Sequence, residues 1–139
     1  DLDARGDNYV QDSCKNGMVP DSCGSWLLRG GVGMERAGAL AMLGERLGAE
    51  QAEQWGLFHR VVDVAALRDE ALALARQLAT QPTYGLALIK RGLNASFDNG
   101  FDDQLQLERD LQRLAGRSDD YREGVNAFMN KRTPAFKGR

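Results

Sequence analysis

Cysteine, histidine and proline are scarce in this chain, at two, one and three of 139 residues. Cys14 and Cys23 stand apart with no C-x-x-C pair, and His59 is the single imidazole. That excludes a disulfide framework and a zinc cluster, so no metal site is expected. Both thiols read as free, Cys23 as a small packing residue and His59 as a surface or interface group. Long apolar runs are also missing: none approaches the roughly 18 residues that cross a bilayer, and the opening Asp1-Leu2-Asp3-Ala4-Arg5 has nothing of a signal peptide. Charge of one sign is not in excess, because 18 basic and 20 acidic side chains are interspersed to a net −2. Such a surface sets up no field to draw in nucleic acid or an anionic membrane. A cytoplasmic protein without nucleic-acid or membrane partners is expected.

What the chain does contain is organised around Gly17-Met18-Val19-Pro20-Asp21-Ser22-Cys23-Gly24. Pro20 fixes its own φ and drives Val19 toward an extended conformation, so Asp21 stands at the end of a strand or extended loop. From Ser22 to Leu28 the pattern predicts the start of a helix. A carboxylate there lies near backbone N–H groups and the positive end of a helix dipole. Two readings follow: Asp21 is a helix N-cap, or it is an ionised base able to take a proton.

Residues 1–16 are polar, with Tyr9-Val10 alone suggesting a short extended piece. Gly30, Gly31 and Gly33 are expected to end one helix and release the next, over Met34 to Leu43 with Ala37, Leu40, Ala41, Met42 and Leu43 on adjacent turns. They do not form a G-x-G-x-x-G phosphate loop. A short helix ending at Gly56 and an extended piece over Leu57 to Val62 come next. Four helices follow: Val64 to Thr80 with a Leu67, Ala71, Leu74, Leu78 stripe; one opened by Pro82 and carrying Leu86, Ile89, Leu93 and Phe97; Phe101 to Ala115 with Leu107, Leu111 and Leu114; and a last helix capped by Ser118, bearing Tyr121, Val125 and Phe128. The class is mainly α, with one or two short strands, and the amphipathic faces must be buried against something, in part another subunit.

Four blocks, in order, carry a family resemblance. Gly116 to Phe136, containing Tyr121-Arg122-Glu123-Gly124 and Lys131-Arg132-Thr133-Pro134, resembles the closing signature of the crotonase (enoyl-CoA hydratase/isomerase) superfamily. Gly17 to Asp21 with Gly24 resembles its active-site turn. The segment from Leu43-Gly44-Glu45 through Ala49-Glu50-Gln51-Ala52 to Trp55-Gly56-Leu57 and Val61-Val62 resembles the helix and strand after that turn, and Pro82-Thr83 with Leu88-Ile89-Lys90 the helix beyond. Asp21, Gln104 to Asp110 and Ala115 to Tyr121 look closest to the phenylacetate-degradation branch, which isomerises a ring-epoxide CoA thioester. About residues 7–139 are covered.

The resemblance implies an α/β crotonase-like fold, of which this is the C-terminal portion. Residues 1–62 would be a remnant of the core with the active-site turn, and residues 63–139 a helical trimerisation region, within one domain overall. It implies chemistry on acyl-CoA, with coenzyme A entering as part of the substrate and no separate cofactor, in a homotrimer or dimer of trimers. Two backbone N–H groups would bind the thioester oxygen as an enolate develops, each lowering the barrier by about 3–4 kcal/mol. Asp21 occupies the position from which isomerases of the family use an aspartate base. Hydratases use two glutamates, and the counterpart of the second falls near Ser13, which favours isomerase over hydratase. The resemblance also implies that Phe128 and Lys131 match an aromatic and a lysine on the last helix that contact the adenine and phosphate of a coenzyme A bound largely by a neighbouring subunit. The family's N-terminal half of repeated strand–strand–helix turns has no counterpart. Asp1-Leu2 resembles the end of the loop supplying the first oxyanion donor, and the sequence passes from Gly6 to Asp7 across the segment supplying the second. The residues are therefore read as part of a longer chain with enzyme activity; the other reading is a nearly inactive remnant that serves as a helical oligomerisation or CoA-binding module.

Overall fold

A computed structural model describes residues 2–139, leaving Asp1 and its place in the loop-end expectation outside. The chain forms two compact units, Asp1–Leu72 and Ala73–Arg139. Among the described residues, seven α-helices and four three-residue strands make it mainly helical.

In the first unit the polar opening segment is more ordered than its composition suggests. Strand β1 (Leu2–Ala4) pairs in parallel with β4 (Arg60–Val62), and β2 (Asn8–Val10) pairs antiparallel with β3 (Arg46–Gly48). Runs of three residues are too short to show alternation, so β1 and β3 left no periodic signature. What holds the second pair is Leu47, 1% exposed and opposite Tyr9. Beyond β1, Arg5 donates to Asp63 at 2.8 Å and reaches Glu50 at 3.4 Å.

Helix α1 (Gly24–Val32) runs through Gly30 and Gly31 and stops at Gly33, whose φ of 82° few side chains adopt. The expected break at three glycines is thus a single break. Gly31 stays helical because Leu57 lies against it, 3.6 Å from where a Cβ would stand. Helix α2 (Met34–Leu43) has the predicted bounds and buries Ala37 and Leu40, but Met42 and Leu43 face outward. With α3 (Ala49–Gln54), these helices enclose a core of Leu28, Val32, Ala37, Leu40, Leu47 and Ala52, flanked by Tyr9, Trp55, Leu57 and Phe58. Arg36 lies over the Trp55 ring at 4.8 Å.

Helix α4 (Leu67–Ala79) buries no residue, although its stripe is regular. In the second unit α5 (Thr83–Ala95) packs on α6 (Phe101–Ala115), and the sequence reading of α5 needs correcting. Ile89, Leu93 and Phe97 are exposed; the packed face is marked by Gly92, where an added Cβ would meet Leu111 at 3.3 Å. A glycine allows the backbones to approach, and pattern reading looks for large side chains instead. Helix α7 (Asp119–Met129) starts as expected, with the Ser118 hydroxyl accepting from the Tyr121 N–H at 3.0 Å.

After α7 the chain folds back as a strap. Asp120, 3% exposed, accepts from the N–H groups of Lys137 at 2.6 Å and Gly138 at 2.8 Å. Its own N–H donates to the Arg139 carbonyl at 2.9 Å. Glu123 accepts two parallel bonds from Arg132, at 2.6 and 2.9 Å, and one from the Ala135 N–H at 2.8 Å. The Arg132 guanidinium foremost, then the Ala135 N–H, hold the Glu123 carboxyl down at about 2 against an ordinary 4.5. A depressed carboxylate contributes stability above its unfolded value and loses it as pH falls toward the folded one. The Ala135 amide resonance of the folded protein is therefore expected to be constant from pH 7 down to about 4 and to shift in a transition centred near 2. Glu123→Gln should abolish that transition, and a transition centred near neutrality would refute the assignment.

Candidate active site

Pro20 and Gly24 are the half-buried shoulders of the turn that carries Asp21. Between them the Gly24 N–H donates to the Asp21 carbonyl at 2.7 Å, closing a four-residue turn. Its central residues are both left-handed, Ser22 with φ 49° and Cys23 with φ 66°. Left-handed backbone costs a non-glycine residue about 1–2 kcal/mol, and such strain persists only where the surroundings over-determine it.

This geometry overturns two sequence expectations. The helix begins at Gly24 rather than Ser22, and Cys23, not Asp21, is the N-cap residue, with no side-chain cap bond. The paired left-handed residues put a turn between Asp21 and the helix, so its carboxylate is not used as a cap. Asp21 is exposed, and its carboxylate makes no hydrogen bond or ion pair with any described residue. Cys23 is exposed too, so it is no packing residue. His59 is exposed. A cavity of about 390 Å³ lies on α1 and α2, lined by Trp26, Leu28, Arg29, Met34, Ala37 and Ala41 among others, and Asp21 is not in its wall.

The strain is directly testable. Cys23→Gly relieves it at some cost in unfolded-chain entropy, so the variant is expected to be neutral to about 1 kcal/mol more stable. Cys23→Val puts a β-branched residue at positive φ and is expected to lose about 1–2 kcal/mol. Urea midpoints of the two variants moving in the same direction would contradict the turn geometry.

Ser13 lies in a 3-10 turn (Ser13–Asn16). Its hydroxyl accepts from the Gln11 amide at 3.2 Å, and Gln11 in turn accepts from the Tyr9 hydroxyl at 2.9 Å. Burial pushes the Tyr9 phenol up. A neutral hydrogen-bonded chain therefore occupies the position where the resemblance would put a hydratase glutamate.

The other candidates are in the second unit. Phe128 is 82% exposed, so it does not sit on a buried stripe as its spacing suggested. Together with Tyr121, Val125, Pro82, Gly85 and Phe136 it lines an apolar cavity of about 430 Å³. Lys131, also exposed, lies beyond the end of α7 and not in its last turn; it is left-handed, with φ 51°, and its N–H donates to the Phe128 carbonyl at 3.2 Å. The two residues are thus joined across one helix end. Sequence reasoning missed the strap groups Asp120, Glu123, Arg132 and Phe136. Acidic residues in a first helical turn normally signal the dipole, and nothing local shows that Asp120 points inward at the chain terminus.

The chain belongs to the enoyl-CoA hydratase/isomerase family, whose model matches residues 3–139. It is 54% identical over 136 residues to the 1,2-epoxyphenylacetyl-CoA isomerase of Escherichia coli K12, covering 98% of this chain and 52% of that protein. It is 35% identical to the 2,3-dehydroadipyl-CoA hydratase of the same organism, over 88% of this chain and 48% of that one. Among solved structures, an enoyl-CoA hydratase from Polaromonas sp. JS666 superposes with a TM-score of 0.91 at 32% identity, covering 98% of this chain and 53% of that one. The chain spans about half the length of the relatives it matches. No helix among the described residues is long and apolar enough to cross a membrane.

Proposed function

We propose that this chain serves an isomerase of unsaturated or ring-epoxide acyl-CoA thioesters, in breakdown of an aromatic acid. The observation that carries this reading is Asp21: a lone, unpaired carboxylate on a strained turn, with Ser13 rather than an acid at the second hydratase position. One carboxylate suits a reaction in which a proton leaves one carbon, electron density moves onto the thioester oxygen, and a proton returns at another carbon. Hydration asks for more, because a water must be activated as well. The 54% identity to an epoxyphenylacetyl-CoA isomerase supports the same choice. In this reading coenzyme A arrives as part of the substrate, and Phe128 and Lys131 meet its adenine and phosphate. Assembly as a homotrimer in the cytoplasm belongs to the proposal, supported by the exposed apolar faces of α5 and α6.

The reading is tested by offering the protein a ring-epoxide phenylacetyl-CoA thioester and a straight-chain trans-2-enoyl-CoA and following products by mass. Isomerisation gives a new, chromatographically separate thioester of unchanged mass, and that is the expected result with the epoxide. Addition of water to the enoyl thioester without isomerisation of the epoxide would favour a hydratase. Binding without turnover of either would leave a CoA-binding module.

A further inference from the structure

We propose that Glu123 is a positioning residue for Lys131, setting recognition of the phosphate at the nucleotide end of coenzyme A through its two-pronged bond to Arg132. This rests on the reading of Phe128 and Lys131 given above. Three observations carry it. First, Lys131 holds a left-handed conformation that is uncommon for a lysine, with φ 51°. Second, both neighbours of Lys131 in the chain are tied down. Asn130 donates through its N–H to the Asn126 carbonyl at 3.0 Å and through its side chain at 2.8 Å, while the Arg132 N–H donates to the Ala127 carbonyl at 3.0 Å. Third, the Arg132 guanidinium is gripped by both oxygens of Glu123, and the same carboxylate takes the Ala135 N–H three residues further on. Paired parallel bonds fix orientation as well as distance.

The consequence is a division of labour on α7. Phe128 offers an open aromatic face beside the 430 Å³ apolar cavity, suited to a flat base. Lys131, whose backbone N–H bonds back to the Phe128 carbonyl, carries its charge on a stem rooted beside that aromatic. The clamp ensures that a charge on a four-carbon stem starts from a fixed backbone; without it the chain after Met129 can relax out of the left-handed region and carry the ammonium elsewhere. The tail beyond the clamp is held separately by Asp120, so loss of Glu123 does not release the whole strap.

The test compares affinities for coenzyme A and for dephospho-coenzyme A, which lacks the 3′-phosphate, in the wild-type protein and in Glu123→Gln, Lys131→Gln and the double variant. Wild type is expected to prefer coenzyme A by roughly three- to fivefold, the scale of one exposed charge pair. Glu123→Gln should bring that ratio close to one while leaving affinity for dephospho-coenzyme A within about twofold, and Lys131→Gln added to it should change nothing further. A general structural loss would weaken both ligands equally and would overturn the proposal, as would a ratio left intact in Glu123→Gln. Should Glu123→Gln unfold, Arg132→Lys serves instead: it keeps the charge, loses the fork and is expected to lower the ratio in the same way. Absence of any preference in the wild-type protein would instead defeat the underlying assignment of Lys131.

Discussion

On the isomerase reading proposed above, Asp21→Asn is expected to lower kcat/KM for the ring-epoxide thioester by about 10²–10⁴-fold, the usual contribution of a positioned acid or base. The loss should fall on kcat, with affinity for coenzyme A unchanged. The reason lies in how the turn is built. Its closing bond runs from the Gly24 N–H to the backbone carbonyl of Asp21, and the side chain supports nothing else. Asparagine has the same shape and tolerates the same turn, so the fold should shift by no more than about 0.5 kcal/mol. What disappears is the capacity to hold and return a proton. Activity retained within tenfold, measured by steady-state kinetics on the epoxide, would mean that the proton is handled elsewhere.

Asp120→Ala is expected to cost about 2–3 kcal/mol in the second unit and to free the strap. This carboxylate is 3% exposed and receives two backbone N–H groups, at 2.6 and 2.8 Å. Bonds to a charged acceptor contribute about 1.5–3 kcal/mol each, and buried donors left without a partner cost comparably. Full loss of both would exceed the estimate, but the freed tail can swing into water and recover solvation for its amides. The net effect is then the loss of the two bonds to Asp120 together with the Phe136 packing against Gly124. Urea unfolding and amide exchange at Lys137 and Gly138 report the two parts. Asp120→Asn, which keeps one acceptor, should lose about half as much; equal losses in the two variants would show that the charge, not the geometry, carries the effect.

The sequence disclosed α4 to α7 because each spans three or more turns, enough for a 3.6-residue period to declare itself. The bounds of α6 were legible for this reason, those of α2 through the glycines that flank it, and the start of α7 through the Ser118 cap. It disclosed Asp21 as a candidate through proline and glycine punctuation, but not the two left-handed residues that deny it the cap role, because serine and cysteine give no hint of positive φ. The packed face of α5 was misread because Gly92, its contact point, carries no hydrophobic signal. Strands β1 and β3 were invisible for want of length. Asp120 and Glu123 were missed because their partners lie 9 to 18 residues downstream in a tail without periodicity.

The parallel pairing of β1 with β4 has a consequence for how the first unit assembles. Contacts across it, such as Arg5 with Asp63, join residues 58 apart. Closing so large a loop costs about 3–4 kcal/mol of chain entropy, before any ladder bond returns it. The neighbouring hairpin of α1 and α2 needs only local contacts and can form first. During synthesis β1 must wait for some sixty further residues to emerge before β4 exists, so this pairing closes late.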